Sequence, residues 1–423
     1  MIDRILKAKI VIPVLPTKVN LNASIGKGFL VNTFFLFCLL PYVSPLPLGS
    51  DVQVVSGLVA FIILFAVFLR HDIVLKGSEL LLLLFCIISI IYINPEVPEA
   101  YQLRKAIGPL FGFGIYLTAK KYNTHFSRSI AVFAVALYLV AGITQLLSDQ
   151  LFNLTFEKII RTAKYAREGS RGITSICPEP GDLGFVMIYT LLLVEWLHNK
   201  RGYARDWVYK GLIAGIIFLV LLSKSGTGYI FITLYGIYRG RKFLLRPSTI
   251  FSLLIVGLLL FLILQNSFRM NKGLHDIIQL VNVVWNLDPR LLLYMTSISV
   301  RLSPILVSFN NFFSHPFGLG NGTFPVYAVD VYFEAGLNHF FPQTAYLQYK
   351  LPRDLAIDSN STLAKYIFEY GIFFLIYLLT LIVNIDKKEL GVFAVFLLLI
   401  SLSFSLPIVF PPLWLIIGIY TKD

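Results

Sequence analysis

Charge is scarce in this sequence. Only 14% of its 423 residues are Asp, Glu, Lys or Arg, against roughly a quarter in a soluble globular chain, which disfavours a cytosolic enzyme. Cysteine is rarer still, with Cys38, Cys86 and Cys177 the whole complement. The first two lie in apolar runs and the third in a loop, so neither a disulfide framework nor a zinc-ligand spacing exists, and all three read as packing thiols. A cleavable leader is not expected either. The first 28 residues are basic and interrupted by polar groups, with no cleavage pattern before the first long apolar run.

What is abundant is apolar surface. The AVILMFWYC set makes up 57% of the chain, mean hydropathy is +0.76, and 36 Phe, 22 Tyr and 4 Trp are present, a load suited to lipid-facing and interfacial positions. Charges gather in short basic patches between long apolar stretches. That pattern predicts an all-α polytopic membrane protein forming a single domain over 1–423. Apolar spans are expected near 29–45, 52–69, 78–93, 106–119, 129–147, 183–198, 208–222, 227–238, 248–265, 366–384, 390–405 and 407–420. Twelve spans put both termini on one side.

Counting Lys and Arg orients the map. The face holding the termini and the connections near 70–77, 120–128, 199–210, 239–247 and 384–389 has about 75 residues with 21 Lys and Arg; the other face has about 164 with 15. The positive-inside rule then predicts cytoplasmic termini and two long outer loops, 148–182 and 266–365. The formal net charge of +13 is read as this topological signal, not as a nucleic-acid footprint.

Function is sought in the outer loops, because the cytoplasmic connections are too short to build a site. Their positive charge includes eight arginines: Arg104, Arg161, Arg167, Arg171, Arg269, Arg290, Arg301 and Arg353. A guanidinium grips phosphate oxygens in bidentate fashion, so an anionic ligand at the outer surface is expected. The competing explanation is neutralisation by lipid headgroups or by acids such as Asp276, Asp288 and Asp354. No acidic or His/Cys cluster has metal-ligand spacing, and His275, His315 and His339 read as surface or loop residues.

Four segments carry the chemistry. In Arg171-Gly-Ile-Thr-Ser175-Ile-Cys-Pro178-Glu179-Pro180-Gly181, two prolines bracket Glu179 and hold its backbone extended at the mouth of a span. The carboxylate is a candidate base; alternatively it pairs with Arg171 or caps the helix beginning near Asp182. Ser223-Lys-Ser225-Gly-Thr227-Gly228 is a tight turn whose small residues let the chain reverse and the helices approach, a packed hairpin in preference to a ligand contact; lacking the strand and the full spacing of a phosphate loop, it is not read as a nucleotide site. Residues 291–313 have helical periodicity suited to an interfacial helix carrying Arg301, followed by His315-Pro-Phe-Gly318-Leu-Gly320-Asn-Gly322, whose glycines permit close approach to a ligand or form a compact turn. Asp358-Ser-Asn360-Ser361-Thr-Leu363 leads to Glu369 and Gly371 at the tenth span, with Asn360 or Ser361 available as a helix cap.

In this order, over roughly residues 100–385, the segments resemble the integral-membrane O-antigen polymerase and ligase superfamily, the Wzy-type polymerases in particular. The likeness runs through Arg171, Ser175 and Glu179, then Ser223, Ser225, Thr227 and Gly228. It continues with Arg301, Pro316, Gly318 and Gly320, and ends with Asn360, Leu363, Glu369 and Gly371. Two departures stand out. Ser359 occupies the place of the His that usually precedes the Asn in the ligase branch, and Gly318 lies one residue further from Arg301 than the family spacing.

The resemblance implies a glycosyltransferase C-type architecture at the outer face of the bacterial inner membrane. The enzyme would move a glycan from one undecaprenyl-diphosphate carrier to the non-reducing end of a lipid-linked repeat unit, without metal or cofactor. Arg171 and Arg301, with Arg290 and Arg353 in reserve, would hold the departing diphosphate. Glu179, or failing it Asp358, would take the acceptor proton. Lipid-linked oligosaccharides, membrane lipid, a chain-length regulator and a flippase are the implied partners; nucleic acid is not. The rival readings are a lipid-linked oligosaccharide flippase or transporter, and an O-antigen ligase. Against the first, polar groups gather in outer loops instead of the bilayer midplane and no matching halves are seen; against the second stands Ser359.

Overall fold

In the computed structural model the described residues are 9–11, 24–43, 52–69, 74–156, 160, 172–244, 296–336, 361–386, 391–404 and 406–422. They are mostly helical, and the elements run β1 (Lys9–Val11), α1 (Ser24–Leu39), α2 (Val55–Phe68), β2 (Val74–Lys76), α3 (Gly77–Ile91), α4 (Glu99–Tyr122), α5 (Arg128–Leu147) and α6 (Asp149–Thr155). Then follow α7 (Pro180–Arg201), α8 (Trp207–Ser223), α9 (Gly226–Leu244), α10 (Thr296–Ser314), α11 (Phe324–Glu334), α12 (Thr362–Tyr370), α13 (Ile372–Asn384), α14 (Gly391–Ser403) and α15 (Pro411–Ile419).

Local chemistry sets the helix ends. The Ser148, Asp206 and Ser361 side chains accept from Leu151, Tyr209 and Ala364 N–H groups to cap α6, α8 and α12. Pro180 opens α7, where its missing N–H costs nothing. Gly202, at φ +69°, closes it.

Among the described residues, helices α5 and α7 are long and apolar enough to cross a membrane, and six shorter apolar helices run 10–17 residues. Their surroundings differ. The most apolar window of α7 is 89% buried against 39% for α5, so α7 is a central helix packed on all sides. Helix α5 instead leaves Phe133, Val140, Ile143 and Leu146 exposed, an apolar outward face that water solvates poorly. Elsewhere in the core, Phe85 stacks on Tyr377 at 4.3 Å between centroids and meets Tyr370 edge-on at 5.3 Å, joining α3 to α12 and α13.

The connections sort to two ends. At one, Arg128 pairs with Asp206, Arg201 donates to the Thr124 carbonyl (2.6 Å), Lys200 faces Asp386 (3.9 Å), and Ile385 bridges Thr421. At the other, Asn94 reaches the Leu319 carbonyl (3.0 Å), Ile173 N–H reaches Leu222 (3.1 Å), and Thr362 N–H reaches Phe404 (3.1 Å). Every connection of the first group is one that the Lys/Arg count assigns to the basic face, and every connection of the second belongs to the opposite face.

Several expectations are revised. A two-stranded antiparallel ribbon pairs Lys9–Val11 with Val74–Lys76, a small addition to an otherwise all-α fold. The glycine-rich stretch 106–119 is the inner part of a 24-residue helix that begins at Glu99 and contains Pro109. The expected span 366–384 is two helices broken at Gly371, and the last is the nine-residue α15. The expected span 248–265 lies outside the described residues. Loop 148–182 contains α6, and loop 266–365 contains α10 and α11.

Candidate functional site

At the end opposite the basic connections, two polar clusters form. In the first, Gln145 near the C-terminus of α5 accepts from both Thr174 and Ser175 N–H groups at 2.9 Å. Ser175 holds a positive φ of 52° and donates its hydroxyl to the Tyr138 carbonyl at 2.7 Å. The 173–177 segment is thereby fixed against the turn after α8, through Ile173 and Leu222. In that turn the Ser225 hydroxyl accepts from Gly228 (3.2 Å) and the Ser223 hydroxyl donates to Val220 (2.7 Å). Both serines serve their own hairpin, as the packed-turn reading expects. A Cβ on Gly184 would lie 2.9 Å from the Gly228 Cα, so α7 and α9 cross backbone to backbone there.

Glu179 stands at the N-cap position of α7, exposed, and its side chain makes no cap hydrogen bond. Its carbonyl accepts from Leu183. The Tyr42 hydroxyl instead bonds Asp182, one turn on. Cys177 is buried beside Tyr138, and burial pushes its thiol well above its ordinary range, so it packs as a neutral group.

The second cluster centres on Glu369, which is 1% exposed. Its carboxylate lies within electrostatic reach of Lys365 and Lys105, on the side of the Gly322 and Phe324 N–H groups. The 316–323 loop lies across α12: Leu319 and Gly320 N–H groups donate to Phe368 and Glu369 carbonyls at 3.1 and 3.0 Å, and Ile372 N–H donates to Pro316 at 2.8 Å. Gly318 has φ +81°, and a Cβ there would lie 2.3 Å from the Glu369 carbonyl oxygen. The glycines thus make a compact turn against protein backbone. From the far side, Tyr92 and Asn94 donate to Gly318 and Leu319 carbonyls, while Asn321 donates to Ser89 and Gln102 carbonyls at 3.2 and 2.7 Å. Gln102 in turn bonds Asn94 and Val97.

Phe404 and Phe410 lie between the clusters. Phe404 accepts from Thr362 and contacts the Phe185 ring, and Phe410 contacts Tyr42 and Tyr189.

Among the residues expected to act, Arg171, Arg290, Arg353 and Asp358 lie outside the described residues, as do His275, His339 and Asn360. Arg301 falls on α10, the helix expected at 291–313 and observed at Thr296–Ser314. His315 is exposed beside Asn311. Ser361 caps α12. Among the described residues, no group of three or more His, Cys, Asp or Glu could hold a metal ion. The residues that the sequence reading passed over are Asn94, Gln102, Lys105, Asn321, Lys365 and the hub role of Glu369. The available signal was a lone acid in an apolar segment, which needs a partner or a task.

No family model, no curated protein and no solved structure matches this chain.

Proposed function

We infer that the chain is a multi-span membrane glycosyltransferase of the C type, with about twelve transmembrane helices and both termini in the cytoplasm of a bacterium. It polymerises undecaprenyl-diphosphate-linked O-antigen or related repeat units at the periplasmic face of the inner membrane. One observation carries this reading: the four motif segments pair up at one end of the helices, 172–177 against 222–228 and 316–322 against 368–372, and that end is the one away from the basic connections. Motifs scattered over some 200 residues thus gather at one end of the helices.

On this reading Arg171 and Arg301, supported by Arg290 and Arg353, neutralise the departing diphosphate. The transfer needs no metal. Glu179 is the favoured base, because it is exposed at that surface and its side chain is not consumed in capping α7. Asp358 is its competitor.

The lipopolysaccharide ladder of a strain lacking the protein tests the reading. Core bearing a single repeat supports a polymerase. Core bearing none points to a ligase or a flippase, and an unchanged ladder removes the reading altogether.

A further inference from the structure

We propose that the start of α8 binds one anionic phospholipid of the leaflet at the basic end, its phosphate between Arg205 and Lys210 and its acyl chain along the outward face of the helix. The inference rests on the multi-span membrane reading and uses neither the polymerase activity nor any residue assigned to it.

The charge of the connection from α7 into α8 is one-sided. Residues 198–210 carry Lys200, Arg201, Arg205 and Lys210 against a single acid, Asp206. That acid is committed, since it pairs with Arg128 and caps α8. Lys200 faces Asp386, and Arg201 donates to the Thr124 carbonyl. Arg205 and Lys210 are both exposed and pair with no carboxylate among the described residues. The Arg205 guanidinium lies 5.9 Å from the Tyr209 ring centroid, a contact that orients it without neutralising it. Basic groups just outside a span attract anionic headgroups.

The second observation is independent of charge. Trp207, between the two cations in the chain, is 81% exposed, and an indole so placed suits the headgroup boundary, where its ring leaves water and its N–H can still bond. Gly211, Ala214, Phe218 and Leu221 follow it at steps of three and four on one face of α8, and all are exposed. Gly211 has nothing within 4 Å of a built Cβ, so with Ala214 it leaves a shallow groove between the bulkier Trp207 and Phe218. At 1.5 Å per residue Phe218 lies about 16 Å from Trp207 along the axis, close to half a hydrocarbon core. That is the reach of one acyl chain. A soluble anion would use the cations and leave this stripe bare, whereas a zwitterionic lipid would cover the stripe but bring its own cation to Arg205 and Lys210.

The test titrates the full-length protein in neutral detergent with phosphatidylglycerol, phosphatidylcholine and inorganic phosphate, and counts bound lipid by native mass spectrometry. Phosphatidylglycerol should bind about tenfold tighter than phosphatidylcholine, and less tightly as salt rises. Arg205→Gln and Lys210→Gln should each weaken it about fivefold, the effect of one basic group near a headgroup. Ala214→Phe, which fills the groove and leaves the charge unchanged, should weaken it too. Lys200→Gln is the control at the same end and should bind as wild type. The substituted positions are exposed, so the variants are expected to fold, and the temperature at which the buried cysteines react checks each one. Equal affinity for the two lipids, or a loss in Lys200→Gln as large as in Lys210→Gln, overturns the site by reducing it to the diffuse attraction of a basic face. Displacement of the lipid by inorganic phosphate makes it a soluble-anion site and overturns the lipid assignment. The lipopolysaccharide ladder is a separate readout. Single-repeat core without a preference for phosphatidylglycerol removes the site and leaves the polymerase reading, and an unchanged ladder with the preference intact does the reverse.

Discussion

Replacing Gly371 with alanine should destabilise the protein more than most single substitutions. The glycine sits between α12 and α13 at φ 51° and ψ −125°, a conformation that costs a residue with a side chain about 1–3 kcal/mol. Its new Cβ would lie 2.1 Å from the Pro316 carbonyl oxygen and 2.8 Å from Gly318 N. Neither atom is the end of a flexible side chain, so the loop itself must withdraw. Withdrawal breaks the hydrogen bonds from Leu319, Gly320 and Ile372 N–H groups, each contributing about 1 kcal/mol. The expected loss is therefore about 4–6 kcal/mol, in the tail of the distribution for point substitutions.

The buried thiols of Cys38, Cys86 and Cys177 supply the assay. A dye that fluoresces on reacting with thiols reports unfolding in detergent as temperature rises. Gly371→Ala should react at a markedly lower temperature. Gly211→Ala is the matched control: that glycine is on an exposed face of α8 with nothing within 4 Å of a built Cβ, and alanine there should be neutral or stabilising by up to about 1 kcal/mol. Equal midpoints for the two variants would refute the packing account of the 316–322 turn.

Four further outcomes are expected. The Arg128 guanidinium bonds both Asp206 oxygens and, with the Tyr209 N–H, holds that carboxyl at about 2, below an unfolded value of about 4. Its stabilisation is therefore complete at neutral pH and lost as pH falls from about 4 towards 2; the midpoint gap between wild type and Asp206→Asn should close over that window, and a gap independent of pH counts against the pair. Single cysteines replacing Asn153 or Asn271 should react with an impermeant reagent before the inner membrane is opened, and labelling only afterwards inverts the map. Arg171→Ala and Arg301→Ala should each slow polymerisation by about two decades, with Lys a poor substitute; inserted variants that still make long polymer remove those residues from the site. Glu179→Gln should abolish chain extension with lipid-linked repeat units still bound, while Asp358→Asn retains polymer; the opposite pattern in a purified assay exchanges their roles.

The helices were legible because an apolar run has few alternatives: its backbone groups must bond within the segment. Arg128–Leu147 and Pro180–Arg201 fall within a few residues of the spans expected at 129–147 and 183–198. Boundaries failed where local chemistry overrode hydropathy. Helix α4 extends seven residues before the apolar stretch because Gln102, a polar residue, is buried by bonding Asn94 and Val97. Hydropathy cannot foresee that a polar side chain will find its partners. The break at Gly371 was likewise invisible, since one glycine in an apolar run is compatible with a continuous helix and only the Pro316 backbone makes it obligatory.

The site was legible as motifs and illegible as a network, for a related reason. Motif spacing identifies which residues are unusual, and it singled out Gly318, Gly320, Glu369 and Gly371 together. It says nothing about which partner satisfies each one. Glu369 lies 49 residues from Gly320 in the chain, yet its carbonyl accepts from that residue's N–H at 3.0 Å. A pairing across that separation depends on how α10, α11 and α12 pack, which no periodicity records. Lys105 and Lys365 illustrate the same point from the charge side. In a tally of outer-face cations they are two lysines among fifteen basic residues, less suggestive than arginine. Their nearness to one buried carboxylate is recorded by neither residue type nor neighbouring sequence, and charge in a low-dielectric interior is valued by what stands next to it.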